Sequence, residues 1–177
     1  TPSLPSNQGE PTYHQLADIL TALKANAASI PSNQGEGSNG YLGIVVSSSV
    51  YSTIAPGNPY VIPTVPTQHP TIPRNSTELA TDAIIRRHDE KVREWKEYNN
   101  VQRALKKQLA NAIEKIYLDA HHDDNVGYEN VSISVLIQYL FDEYGDITPI
   151  DLRANAKRLD ENWDPNQPIQ TLYSRIK

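Results

Sequence analysis

Proline and charge divide this 177-residue chain sharply in two. Residues 1–73 hold ten of the thirteen prolines and only four charged side chains, Glu10, Asp18, Lys24 and Glu36. The rest of the chain holds 33 charges and three prolines. A first part so poor in charge is not a solvated disordered tail, and it lacks the apolar content for a core of its own. Residues 1–75 therefore read as an arm that packs on something else, either its own C-terminal half or a neighbouring subunit. The boundary falls near Pro73-Arg74-Asn75-Ser76.

Several function classes drop out on composition. The chain has no cysteine, which excludes disulfides, thiolate zinc sites and a cysteine nucleophile within it. It has no methionine either, not even at position 1, and reads as processed or cut from a longer protein. No apolar run is long enough to span a bilayer, and no charged-then-apolar signal segment opens it. The net charge of −5 argues against a dedicated nucleic-acid binder, which needs clustered Lys and Arg.

Within the arm, Pro5-Ser6-Asn7-Gln8-Gly9-Glu10 recurs as Pro31-Ser32-Asn33-Gln34-Gly35-Glu36, two similar turns rather than a repeat array, which needs at least about three copies. Thr12 with Gln15 forms a capping box. Leu16, Ile19, Leu20 and Leu23 follow at helical spacing, predicting a helix over about 13–27. Residues 42–54 are rich in β-branched side chains and read as short strands, with a short buried helix over 47–54 as the alternative. Prolines at 56, 59, 63, 66, 70 and 73 predict an extended segment over 56–73. Tyr60, Val61, Ile62, Val65 and Ile72 give that segment apolar contacts that a free linker has no use for.

Residues 76–177 read as a helical domain, incomplete at its C-terminus. Ser76 or Thr77 caps a first helix, carrying Leu79, Ile84, Ile85, Val92 and Trp95, with a break at Asn99-Asn100. The clearest pattern follows: Val101, Leu105, Leu109, Ala112, Ile113, Ile116, Tyr117 and Ala120 make a three-and-four repeat ending near His121-His122. Ser132 caps an apolar helix carrying Val135, Leu136, Tyr139, Leu140 and Phe141, with Gly145 after it. Thr148-Pro149-Ile150-Asp151 opens another helix towards Trp163. A last one carries Ile169, Leu172, Tyr173 and Ile176 and is still running at Lys177. The core is therefore expected around Trp95, Leu105, Leu109, Ile113, Ile116, Leu136, Leu140 and Phe141.

Chemistry-bearing patterns are sparse. His121-His122-Asp123-Asp124 brings metal-ligand types together, but adjacent helical residues point about 100° apart and chelate one ion poorly, unlike HExxH spacing. His14, His69 and His88 stand apart from any triad pattern, and no phosphate-cradling glycine loop is present. No catalytic role, cofactor, metal or small-molecule substrate is expected. Arg103, Lys106 and Lys107 are the candidate RNA contact, with a solvated helix surface as the competing reading. Asn75-Ser76-Thr77 and Asn130-Val131-Ser132 match the glycosylation pattern, and both sit where a helix cap is needed.

Gly127-Tyr128-Glu129-Asn130-Val131, the run from Leu140-Phe141-Asp142-Glu143-Tyr144-Gly145 to Pro149-Ile150-Asp151-Leu152, and Trp163-Asp164-Pro165-Asn166-Gln167-Pro168 resemble the Gag polyproteins of copia-type LTR retrotransposons. So do Leu23-Lys24-Ala25-Asn26-Ala27-Ala28, Gly40-Tyr41-Leu42-Gly43 and Tyr98-Asn99-Asn100-Val101. The likeness runs in order from about Pro11 to Ile176. It implies a mainly α-helical, capsid-like protein that assembles with itself into a particle around the element's RNA, in the cytoplasm of a eukaryotic host. It also implies a downstream remainder that carries most of the RNA binding. The alternative is a non-enzymatic helical filament or binding subunit, extracellular in its sharpest form. Deleting residues 1–73 is expected to leave soluble helical protein that no longer forms particles.

Overall fold

The structure is a computed structural model that describes residues 2–33 and 37–147, together with Pro149, Leu152, Arg153, Ala156 and Lys157. The expected helices from Thr148 to Trp163 and around Ile169–Ile176, and the second copy of the Pro-Ser-Asn-Gln-Gly-Glu turn, lie wholly or partly outside the described residues. The architecture is mainly helical. Among residues 2–33 and 37–147, four α-helices cover Tyr13–Ser29 (α1), Ser48–Ile54 (α2), Glu78–Ala112 (α3) and Ile133–Tyr144 (α4). Single 3-10 turns sit at Leu42–Ile44, Lys115–Tyr117 and Asp119–His121.

Local chemistry sets most of the helix starts. The Thr12 hydroxyl accepts from the Gln15 N–H, and the Gln15 side chain accepts from the Thr12 N–H, completing the capping box of α1. Thr77 caps α3 by accepting from the Ala80 N–H. Ser132 caps α4 through the Val135 N–H. α1 stops at Ile30, whose extended backbone is what a residue before proline adopts. The chain then folds back over the end of α1, where the Tyr41 N–H donates to the Ala27 carbonyl at 2.9 Å. That closeness requires Gly40: its φ is +49°, and a Cβ there would lie 2.4 Å from the Ile30 carbonyl oxygen.

Strands do not form over 42–54. Among the described residues no strand exists, and this stretch is a 3-10 turn followed by α2. Ser47 decides the matter by capping the Val50 N–H. Two isolated strands would leave backbone donors and acceptors unpaired, whereas a short helix satisfies its own.

α3 also differs from expectation, at both of its supposed boundaries. It passes through Asn99-Asn100 without a break, and Asn99 Nδ2 donates to the Trp95 carbonyl one turn back at 2.7 Å. Asparagine tied to its own helix in this way costs only tenths of a kcal/mol to roughly 0.7. α3 then ends at Ala112, well short of His121. The Asn7 N–H donates to the Ala112 carbonyl at 2.7 Å, and the Gly9 N–H to Glu114 Oε1 at 2.8 Å. The turn of chain at Ile113 sends Ile113 and Leu118 inward and leaves Ile116 71 % exposed. Ile116 is therefore no core residue. Nor is Trp95, half-buried on the part of α3 that runs beyond the core.

The composition boundary near residue 75 is not a packing boundary. One hydrophobic cluster joins Leu16, Ile19, Leu23 and Ala27 of α1, Tyr41, Ile44 and Val45, the end of α3 from Val101 to Ala112 with Ile113 after it, and Leu118 with Ile133, Leu136, Ile137 and Leu140. Leu105, Leu109, Ile113, Leu136 and Leu140 take their expected core places, and Phe141 packs against them part-buried. Removing residues 1–73 would strip one wall from this core, so the deletion should destabilise the helical remainder rather than leave it intact. Val46, Tyr51 and Ala55 make a smaller cluster with Leu42 and Tyr60.

Candidate interaction surface

The Pro-rich segment runs as a strap beside α3. Tyr60 anchors its start. Its ring meets Tyr51 edge-on at 5.5 Å and covers Gly43. Burial, before any neighbour's charge, pushes the Tyr60 phenol above its ordinary pKa. Among the described residues, the buried hydroxyls of Tyr51 and Tyr60 have no hydrogen-bond partner. Further along, His88 Nε2 donates to the Thr67 carbonyl at 2.8 Å and fastens the strap to α3. With no N–H at its prolines, the strap cannot extend a ladder or a helix, and side-chain fastenings of this kind hold it.

Of the five proposed arm residues, Tyr60 alone turns inward. Val61, Ile62, Val65 and Ile72 are exposed, Val65 by 74 %. Between the strap and α3 lies a groove of about 500 Å³ whose walls include Val61, Val65 and Pro66 on one side and Arg87, His88 and Lys91 on the other. Apolar side chains held open to water on a fastened backbone make a preorganised surface, since little ordering entropy remains to be lost on binding.

The residues proposed for RNA contact have different surroundings. Arg103 Nε donates to Glu129 Oε1 at 2.6 Å. That bond, ahead of the charge itself, holds the Glu129 carboxyl below its usual pKa. Lys106 is buried, and its ammonium donates to the Tyr128 and Glu129 carbonyls at 2.8 and 3.0 Å. Burial lowers its pKa. Lys107 is exposed. Two of the three cations thus pin the loop before α4 onto α3.

Sequence reasoning missed the third member of that clasp. Gln102 is buried, receives the Ile133 N–H at its Oε1 (3.1 Å), and donates through Nε2 to the Tyr98 hydroxyl (2.9 Å). It satisfies one of the orphan donors at the start of α4. The only available signal was a glutamine beside Val101 at the edge of the apolar stripe.

The His121–Asp124 cluster is also taken up locally. The His121 ring packs edge-on against Tyr139 at 4.7 Å, and His122 against Tyr128 at 5.2 Å. Asp123 accepts from the Asn125 and Val126 N–H groups, which holds its carboxyl below the usual range. Among the described residues, no group of three His, Cys, Asp or Glu is placed to hold a metal ion, and no helix is long and apolar enough to cross a membrane.

No family model, curated protein or solved structure matches this chain. The fold and surface define a mainly helical protein with an exposed, fastened strap.

Proposed function

We propose that this chain is a structural protein that assembles with copies of itself, a Gag-type capsid subunit of a copia-like retrotransposon whose particle encloses the element's RNA in a eukaryotic cytoplasm. The observation that carries the self-assembly reading is the strap. Val61, Ile62, Val65 and Ile72 stand exposed on a backbone anchored by Tyr60 and fastened by His88. A row of solvent-facing apolar side chains held in one conformation is a liability unless something covers it. The capsid identity rests on the sequence resemblance. RNA enclosure rests on it too, because Arg103 and Lys106 are engaged within the chain.

The test is electron microscopy and sedimentation of purified, untagged protein, beside a Val61→Ser/Val65→Ser variant that melts like the parent. Closed particles or regular tubes from the parent, lost in the variant, are the expected result. Monodisperse monomer at all concentrations and salts would refute the reading. Open filaments, with glycans on the exposed Asn75 and Asn130, would instead favour the extracellular alternative.

A further inference from the structure

We propose that the groove between the strap and α3 receives the acidic, apolar end of a second copy of this chain, formed by Ile116, Ile147, Glu143 and Asp146, in a head-to-tail contact. This rests on the self-assembly reading and names the contact that would carry it.

Charge is the first support. The strap over 56–73 holds no Asp, Glu, Lys or Arg. The helix wall of the groove brings Arg87, His88 and Lys91, against Glu94 as the acid among its lining residues. The far end of the molecule has the opposite balance. Between residues 113 and 147 the sequence has Lys115 as its one Lys or Arg, against eight acids: Glu114, Asp119, Asp123, Asp124, Glu129, Asp142, Glu143 and Asp146. Some of these are occupied within the chain, Glu129 by Arg103 and Asp142 by Gln138. Glu143 and Asp146 are exposed.

Apolar exposure is the second support. Ile147 and Ile116 are more than half exposed. They belong to one end, because Tyr117, next to Ile116, stacks edge-on against Tyr144 at 5.4 Å. Both partners of the proposed contact therefore combine exposed apolar side chains with charge of opposite sign. That pairing sets orientation and disfavours the head-to-head and tail-to-tail alternatives.

Position is the third. From His88 to Ala112, α3 rises about 36 Å at ~1.5 Å per residue. The two patches lie too far apart to meet within one chain. A contact between unlike patches is heterologous, and repeats into a ring, tube or shell according to its angle.

The experiment compares the full chain with Arg87→Glu/Lys91→Glu and with Glu143→Lys/Asp146→Lys by sedimentation velocity and negative-stain microscopy, using thermal melts to confirm folding. Each double reversal should raise the concentration needed for assembly at least tenfold. An equimolar mixture of the two should assemble again, because each then supplies the charge the other lacks. The parent's assembly should weaken from 50 mM to 500 mM salt, as the screening length shortens. Reversals that assemble as the parent does would overturn this contact while leaving self-assembly standing. A parent that stays monomeric throughout would remove both. Equal hydrogen-exchange protection of the strap in dilute monomer and in assemblies would mean the groove is filled from within the chain, and would also overturn the proposal.

Discussion

Gly43→Ala should loosen the strap without touching its sequence. A Cβ at this position would lie 2.2 Å from Tyr60 Cγ, 2.4 Å from Cδ2 and 2.5 Å from Cβ. Ordinary carbon contacts are about 3.5–4.0 Å, so the ring must retreat by more than about 1 Å. The backbone at Gly43 does not itself require glycine, having no positive φ, so the substitution reports on this contact alone. Overpacking of this size costs roughly 1–3 kcal/mol. At about 2–4 °C per kcal/mol for a chain of this length, the melting temperature should fall by about 2–12 °C. Limited proteolysis should speed up first between Pro59 and Pro73. A double-mutant cycle with Tyr60→Ala isolates the cause. With the ring gone, Gly43→Ala should cost markedly less, though not nothing, because Tyr60→Ala keeps the Cβ that lies 2.5 Å from the new one. An undiminished cost in the Tyr60→Ala background would refute the argument that Gly43 exists to admit that ring.

Three further outcomes follow from the packing. Leu109→Asp or Ile113→Asp should abolish folding, whereas Ile116→Asp should stay within about 0.5 kcal/mol of the parent in urea melts, because the chain turns between 113 and 116; equal damage at 113 and 116 would mean the helix runs on. Lys106→Ala should cost about 1.5–3 kcal/mol, the loss of charge-assisted hydrogen bonds to the Tyr128 and Glu129 carbonyls, and should raise exchange at 128–133. Stability should fall as pH rises past about 10, because burial raises the phenols of Tyr41, Tyr60 and Tyr128. The folded chain holds those protons after the unfolded chain has released them. Lys106, lowered by burial, works in the opposite sense below that pH. Tyr60→Phe should be nearly neutral at pH 7, since its hydroxyl has no partner among the described residues, and should shrink the alkaline loss in urea midpoints measured at pH 8 and 11.

The parts of the fold that were legible in sequence are those fixed by near neighbours. The capping box at Thr12, the cap at Ser132, a cap at Ser76 or Thr77, and the buried stripe of Leu105, Leu109, Leu136 and Leu140 follow from spacings of three and four. The illegible parts depend on distant residues or on one competing bond. Nothing near Ile113 announces the end of α3, because residues 7–9, over a hundred positions earlier, take up the groups released there. Asn99 looks like a breaker until its amide is seen bonded to its own helix. The basic cluster at 103–107 was visible as charge, but which carbonyls Lys106 would find was not. Among the proposed arm residues, the inward turn of Tyr60 depends on Gly43, and a missing side chain gives no apolar signal.

α3 has a mechanical consequence. Its last three turns, from Val101 on, are set in the core and Tyr98 packs against it, while the stretch from Glu78 to Glu97 contributes no side chain to that cluster among the described residues. That stretch is about 30 Å long at ~1.5 Å per residue. A rod of that length turns a small bend near its base into a large displacement at its tip: a bend of about 10° would swing Thr77 by roughly 5 Å, and the strap fastened through His88 would have to follow. In the proposed assembly, copies gripping that tip would meet at different angles while the packing from Val101 on stayed in place. One sequence could then tile surfaces of different curvature.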